Sequence, residues 1–188
     1  MQLKNFFTLI EHMKGGTLAE GQSPYTVIVT CSDSRVVPEV IFDEGLGDLF
    51  VIRFAGNIIG STEFESVIYA VDHLNPSIIV VMGYENCGAV NAVVQSHDQD
   101  IPAIARFIKP SVKKAKSMQT SDLLRHSVEF NALNMRAETR SPMFRGSCFI
   151  ETANASSPQA NTECPSANIF FAALISAFSA SDHHLALI

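Results

Sequence analysis

Tyr25-Thr26-Val27-Ile28-Val29-Thr30-Cys31-Ser32-Asp33-Ser34-Arg35 is the stretch whose reading decides the fold. Its first six residues, a β-branched run entered through Pro24, predict a short strand buried on both faces. A thiol, a carboxylate and a guanidinium then follow within the pentapeptide Cys31–Arg35. Open parallel α/β sheets bind ligands beyond the carboxyl ends of their strands, so chemistry is expected where this run stops. Taken alone, the pentapeptide fits a turn with an inert buried thiol and a surface Asp–Arg pair equally well.

Working outward, two more apolar runs predict buried strands: Leu49–Phe54, closed by Ala55-Gly56-Asn57, and Ser77–Met82, with Gly83 starting a turn. Helical signals separate them. Pro38 suits the first turn of a short helix within Val36–Phe42. Thr62, with Glu65 as its capping-box partner, opens a helix whose Phe64, Val67, Ile68, Val71 and Leu74 face the core. A further helix runs from Cys87 to about Gln95, and two more cover roughly 101–116 and 122–140. Apolar strands alternating with helices predict a three-layer α/β fold, its central, mainly parallel sheet of about four strands covered by helices on both faces. Nothing divides the chain, so 1–188 is read as one domain. Residues 1–20 read as an amphipathic helix. Within 143–188, which stays unassigned, Cys148–Thr152 is at most one short strand and Ile169–Phe178 suits a helix.

Composition narrows the function classes. The formal charge of −6 excludes a phosphate-backbone reader, so no nucleic acid is expected. No apolar run is long enough to span a bilayer, and the start is too weakly apolar for a signal peptide. Four cysteines without a short CxxC give no disulfide framework, and a cytoplasmic, reducing setting is expected.

A second cluster, Gly83-Tyr84-Glu85-Asn86-Cys87-Gly88-Ala89-Val90, follows the third strand. Two thiols from two strand ends, with Asp33 nearby, are donors that zinc accepts. Cys31-Ser32-Asp33-Ser34-Arg35, Ile41–Arg53, Ala55-Gly56-Asn57 and Cys87-Gly88-Ala89-Val90 together resemble the β-class carbonic anhydrases in order and spacing, from about residue 18 to 142. The resemblance implies zinc held by Cys31, Cys87 and a residue three before Cys87, with water or the Asp33 carboxylate in the fourth place. It implies that Arg35 holds Asp33 off the metal while Asp33 orients the attacking hydroxide. It also implies substrate contacts from Gln22 and Gly88, with Phe50 and Tyr69 walling the carbon dioxide pocket across a dimer interface. At the ligand position of the family's histidine this chain has Tyr84, a phenol and a poor ligand until deprotonated.

The expected activity is zinc-dependent, reversible hydration of carbon dioxide to bicarbonate and a proton, reduced or lost through Tyr84, in a homodimer or higher homo-oligomer. Two other readings stand beside it: a non-catalytic homologue with a defective metal site, and a thiol enzyme using Cys31 as nucleophile. Arg53 and Asn57 read as structural braces, the six histidines as scattered surface residues, and Lys113-Lys114-Ala115-Lys116 as a solvated helix face.

Overall fold

In the computed structural model, the described residues are Leu18, 21–135, and the backbone of 136–138, 148–149 and 170–176. The expected helix over 1–20 lies outside them, Leu18 excepted. The elements are β1 (Thr26–Thr30), α1 (Pro38–Ile41), β2 (Leu49–Arg53), a 3₁₀ turn (Ala55–Asn57), α2 (Ser61–Leu74), β3 (Ile78–Tyr84), α3 (Gly88–Val94), α4 (Pro102–Ser117), α5 (Leu123–Glu138), β4 (Cys148–Phe149) and β5 (Phe170–Ser176).

All strand pairs are parallel, in the order β2-β1-β3-β5-β4. Three strands come from the part bearing the motifs and two from the tail, against about four expected. β1 is interior, flanked by β2 (Thr26 beside Leu49) and β3 (Thr26 beside Ile78). Every β1 residue is buried, as a strand covered on both faces requires. The core gathers Val27, Ile28, Val29, Ile79, Val81, Met82, Val90, Ile108 and Val128, each 1% exposed or less.

Three local expectations are corrected. β3 runs on through Gly83 to Tyr84 instead of turning at Gly83. The reason is packing: α5 crosses so closely that a β-carbon on Gly83 would lie 3.0 Å from Val128 Cγ1 and 3.5 Å from Ala132 Cβ. Strand pairing continues to Tyr84 opposite Ser176. The cap of α2 shifts by two residues, from Thr62 to Gly60, the helix starting at Ser61. There Glu63, not Glu65, closes the turn, its Oε2 accepting the Gly60 N–H at 2.9 Å. The segment read as a helix over Ile169–Phe178 is instead β5, aligned with β3 from Phe170 opposite Ile78 onward. A short apolar run carries no periodicity that separates a buried strand from a buried helix.

Candidate active site

The carboxyl ends of β1 and β3 lie side by side and bring the two motif clusters together. Val29 is the last β1 residue paired with β3, opposite Val81, and the Thr30 hydroxyl bonds the Met82 carbonyl at 3.3 Å. Cys31 leaves β1, and Tyr84 ends β3. The Glu85-Asn86 turn, with Asn86 left-handed at φ 59°, delivers Cys87 as the residue before α3. Both cysteines are free and buried.

Asp33 is the hub of the polar side. Its Oδ1 accepts Arg35 Nε at 2.9 Å and the Arg35 backbone N–H at 3.0 Å. Its Oδ2 accepts Arg35 Nη2 at 2.8 Å and the Tyr84 hydroxyl at 2.6 Å. A carboxylate offers about four lone-pair positions, so all of its acceptor capacity is used. The guanidinium and then the phenol hold Asp33 well below the usual carboxylate range. Burial, and then donation to Asp33, push Tyr84 up, so the phenol stays neutral.

Of the two thiols, Cys31 releases its proton more readily, drawn down to about 5. The largest cause is Cys87, followed among the lowering effects by the Gly56 and Asp33 backbone N–H groups, all acting against burial. Cys87, the donor of the pair and more deeply buried, goes up. The Gly56 N–H reaches Cys31 Sγ at 3.3 Å. Gly56 itself sits at φ +74°, and a β-carbon there would lie 2.8 Å from Ile108 Cδ1.

The braces come from outside the pentapeptide. Arg53, at the end of β2, donates to the carbonyls of Cys31 (Nε, 3.2 Å) and Asp33 (Nη2, 2.6 Å), fixing the turn from beneath. Asn131, fully buried on α5, donates to the Gly56 carbonyl at 2.7 Å and to Asn57 Oδ1 at 3.3 Å. No pattern in the sequence ties Asn131 to a turn some seventy-five residues earlier; only the helix packing does.

The remaining expected residues are dispersed. Gln22 is exposed on the segment before β1, and Gly88 is exposed at the start of α3 with open space around it. Phe50 pairs with Val27, four residues short of Cys31 and therefore about 13 Å down the strand. It meets Tyr69, which is 48% exposed, with ring centroids 6.2 Å apart. Within one chain Phe50 thus lies well away from the Cys31 end of β1.

Zinc needs three protein donors and an open position for catalysis. Two sulfurs are present. The third place belongs to a neutral phenol whose proton is committed to Asp33, and Asp33 is itself committed to Arg35. Among the described residues no three Cys, His, Asp or Glu side chains are arranged to hold a metal ion. As arranged, the set is one donor short of a catalytic zinc for as long as Asp33 and Tyr84 keep their present bonds.

With this geometry in view, a family model described as "Carbonic anhydrase" matches residues 26–141. Carbonic anhydrase 2 of Mycobacterium tuberculosis is 46% identical over 109 residues, 55% of this chain and 52% of that protein. The carbonic anhydrase of Pseudomonas aeruginosa is 36% identical over 138 residues, 64% of this chain and 62% of that protein. The chain thus spans about half the length of the mycobacterial relative. Among solved structures, the β-carbonic anhydrase CcaA aligns with TM-score 0.62 and 29% identity, covering 74% of this chain and 70% of that one. Tetrameric β-carbonic anhydrases of Sordaria macrospora share the fold at TM-score 0.57 and 23% identity, covering 76% of this chain and 79% of theirs.

Proposed function

The chain belongs to the β-class carbonic anhydrase family, and from that premise we propose that it carries out the reversible hydration of carbon dioxide to bicarbonate and a proton in an impaired, zinc-dependent form. The observation that carries the impairment is the saturated carboxylate. Arg35 supplies three of the hydrogen bonds on Asp33 and Tyr84 the fourth. An attacking oxygen is aimed by donating its O–H to an acceptor, and Asp33 has no lone pair free for that hydrogen bond. Losing such an orienting contact lowers rates by about 10²-fold, the difference expected between this chain and a relative with histidine at position 84.

Each residue then has a stated task. Cys31 and Cys87 supply the soft donors and Asp33 the acceptor. Arg35 holds Asp33 in place, and Gln22 and Gly88 face the substrate. Phe50 and Tyr69 act on a neighbouring copy: Phe50 lies about 13 Å down the strand from the level of its own Cys31, and Tyr69, which it meets, is half-exposed, so they suit an interface better than their own site. The chain is accordingly a homodimer or higher homo-oligomer, a single domain, placed in the cytoplasm. Among the described residues no helix is long and apolar enough to cross a membrane.

A second reading, a homologue that keeps the fold without turnover, is favoured by the missing third donor. Metal analysis and stopped-flow hydration on the unmodified chain and on Tyr84→His decide between them. The first reading expects little zinc and slow hydration in the unmodified chain, with both rising in Tyr84→His. If Tyr84→His takes up zinc and stays inactive, the non-catalytic reading stands. Full zinc occupancy with fast turnover in the unmodified chain overturns the impairment.

A further inference from the structure

We propose that the cavity between α4 and the turn following α3 binds a short chain of phosphates, the chemistry shared by inorganic tripolyphosphate and a nucleoside triphosphate. The site is separate from the one above. Cys87 stands just before the start of α3, and the cavity lies at the other end of that helix, beside Val93 and Ser96.

The charge pattern of α4 is the first observation. Pro102–Ser117 holds five cations and no carboxylate, in a chain whose carboxylates outnumber its cations 19 to 13. A helix face that merely meets solvent usually mixes the two signs along its length. Here Arg106, Lys109, Lys113 and Lys116 recur at intervals of three, four and three residues, which sets them in one row. At about 1.5 Å per residue the row is about 15 Å long.

The second observation is that this row lines a cavity of about 770 Å³, a volume suited to a small ligand. Its apolar wall of Val93, Pro110 and Val112 strengthens the field of the cations within it. The third is that most of the row has no counter-charge. Among the described residues no carboxylate pairs with Arg106, Lys113 or Lys116, while Lys109 Nζ lies 2.8 Å from Asp98 Oδ2. The Lys109 side chain is 63% exposed, so a ligand can displace that weak surface bond.

The same charges set the length of the ligand. At physiological ionic strength a charge is felt over about 8 Å. A ligand held in the cavity meets four cations and one carboxylate, whereas a long polyanion also meets the rest of a chain of net charge −6. Orthophosphate is too short to reach along the row. Lysines bind phosphate as mobile point charges, without a fixed bidentate geometry to satisfy.

The test titrates sodium tripolyphosphate into the full chain at about 0.15 M ionic strength, followed by calorimetry. One molecule per chain should bind with Kd below about 1 mM. Orthophosphate should bind at least about tenfold more weakly, since it engages fewer cations at once. The double variant Lys113→Glu, Lys116→Glu should weaken binding at least about tenfold, because like charges then face the ligand. Asp98→Asn should tighten it by about two- to fivefold. Lys114→Glu is the control: Lys114 Nζ sits over the Phe130 ring at 4.2 Å, outside the cavity lining, so binding should change by less than about twofold. The three lysines are exposed, and circular dichroism checks that each variant folds. Adenosine triphosphate, titrated alongside, distinguishes the sources. Affinity equal to or below that of tripolyphosphate assigns the site to an inorganic chain, and a tighter Kd assigns it to a nucleotide. The proposal is overturned if tripolyphosphate does not bind, if Asp98→Asn weakens it, or if Lys114→Glu weakens it as much as the double variant. It is equally overturned if a polyglutamate peptide or a single-stranded oligonucleotide binds more tightly. No readout here involves hydration, so this proposal stands or falls independently of the activity proposed above.

Discussion

Replacing Gly56 by alanine loads the turn that supports the Cys31 sulfur, and its cost follows from the geometry. At φ +74° any residue with a β-carbon pays about 1–2 kcal/mol. The new methyl would stand 2.8 Å from Ile108 Cδ1 and 3.3 Å from Ala89 Cβ. Ile108 is fully buried, so its displaced end has no solvent to move into, and overpacking of this kind costs about 1–3 kcal/mol. Together the two effects give about 2–5 kcal/mol, a large share of the roughly 5–15 kcal/mol that holds a domain of this kind. With a urea dependence of about 2 kcal/mol per molar, the unfolding midpoint should fall by about 1–2.5 M. Gly21→Ala serves as the control, since nothing lies within 4 Å of a β-carbon there and its φ is ordinary. Equilibrium urea unfolding, followed by circular dichroism, measures both. A Gly56→Ala midpoint indistinguishable from that of Gly21→Ala would refute the reasoning.

Three further outcomes are expected. Tyr84→Phe removes a hydrogen bond to a carboxylate, worth about 1.5–3 kcal/mol when desolvated; because Asp33 is 20% exposed and keeps Arg35, the low end applies at neutral pH. Asp33 is depressed in the fold, so this contribution is present above its unfolded value of about 3.9 and is lost as pH falls through the lower folded value; unfolding curves of parent and variant should converge in strong acid, and a gap that widens there counts against the assignment. Asn131→Leu leaves the buried Gly56 carbonyl without its donor and should cost about 1–3 kcal/mol in the same urea assay, a change near zero showing that the turn does not depend on α5. Sedimentation at micromolar concentration should find a dimer or larger species, and a monomer would remove the neighbour that Phe50 and Tyr69 are proposed to serve.

Much of the sheet was legible because β1 is buried along its whole length and β3 nearly so, both being spelled mostly in apolar residues. Thr26–Thr30 and Leu49–Arg53 fall within a residue of the bounds read from the sequence. The third strand was read short because Gly83 looked like punctuation, when its missing side chain is what lets Val128 and Ala132 approach. Phe170–Ser176 could not be told from a helix, since its strand character comes from lying beside β3 and not from its own pattern. At the site, the pentapeptide and the Cys87 cluster announced themselves by residue type. Arg53 was read as a brace, and it does hold the carbonyls of Cys31 and Asp33. What could not be read was the bond between Tyr84 and Asp33, or the reach of Asn131 to Gly56, because both are made by elements distant in sequence.

The interior position of β1 also bears on how the chain is made. During synthesis at about 5–20 residues per second, Thr26–Thr30 emerges well before Ile78–Val81, the stretch that will close its second flank. For several seconds Val27, Ile28 and Val29, which end at 1% exposure or less, present an unpaired edge. A nascent chain alongside can dock on that edge in place of the missing strand. Pro24 on one side and the charged Asp33–Arg35 turn on the other stand where gatekeepers against such pairing belong. Recovery of folded protein from cells should therefore respond to growth temperature and chaperone supply through these seconds on the ribosome, whatever the stability of the finished sheet.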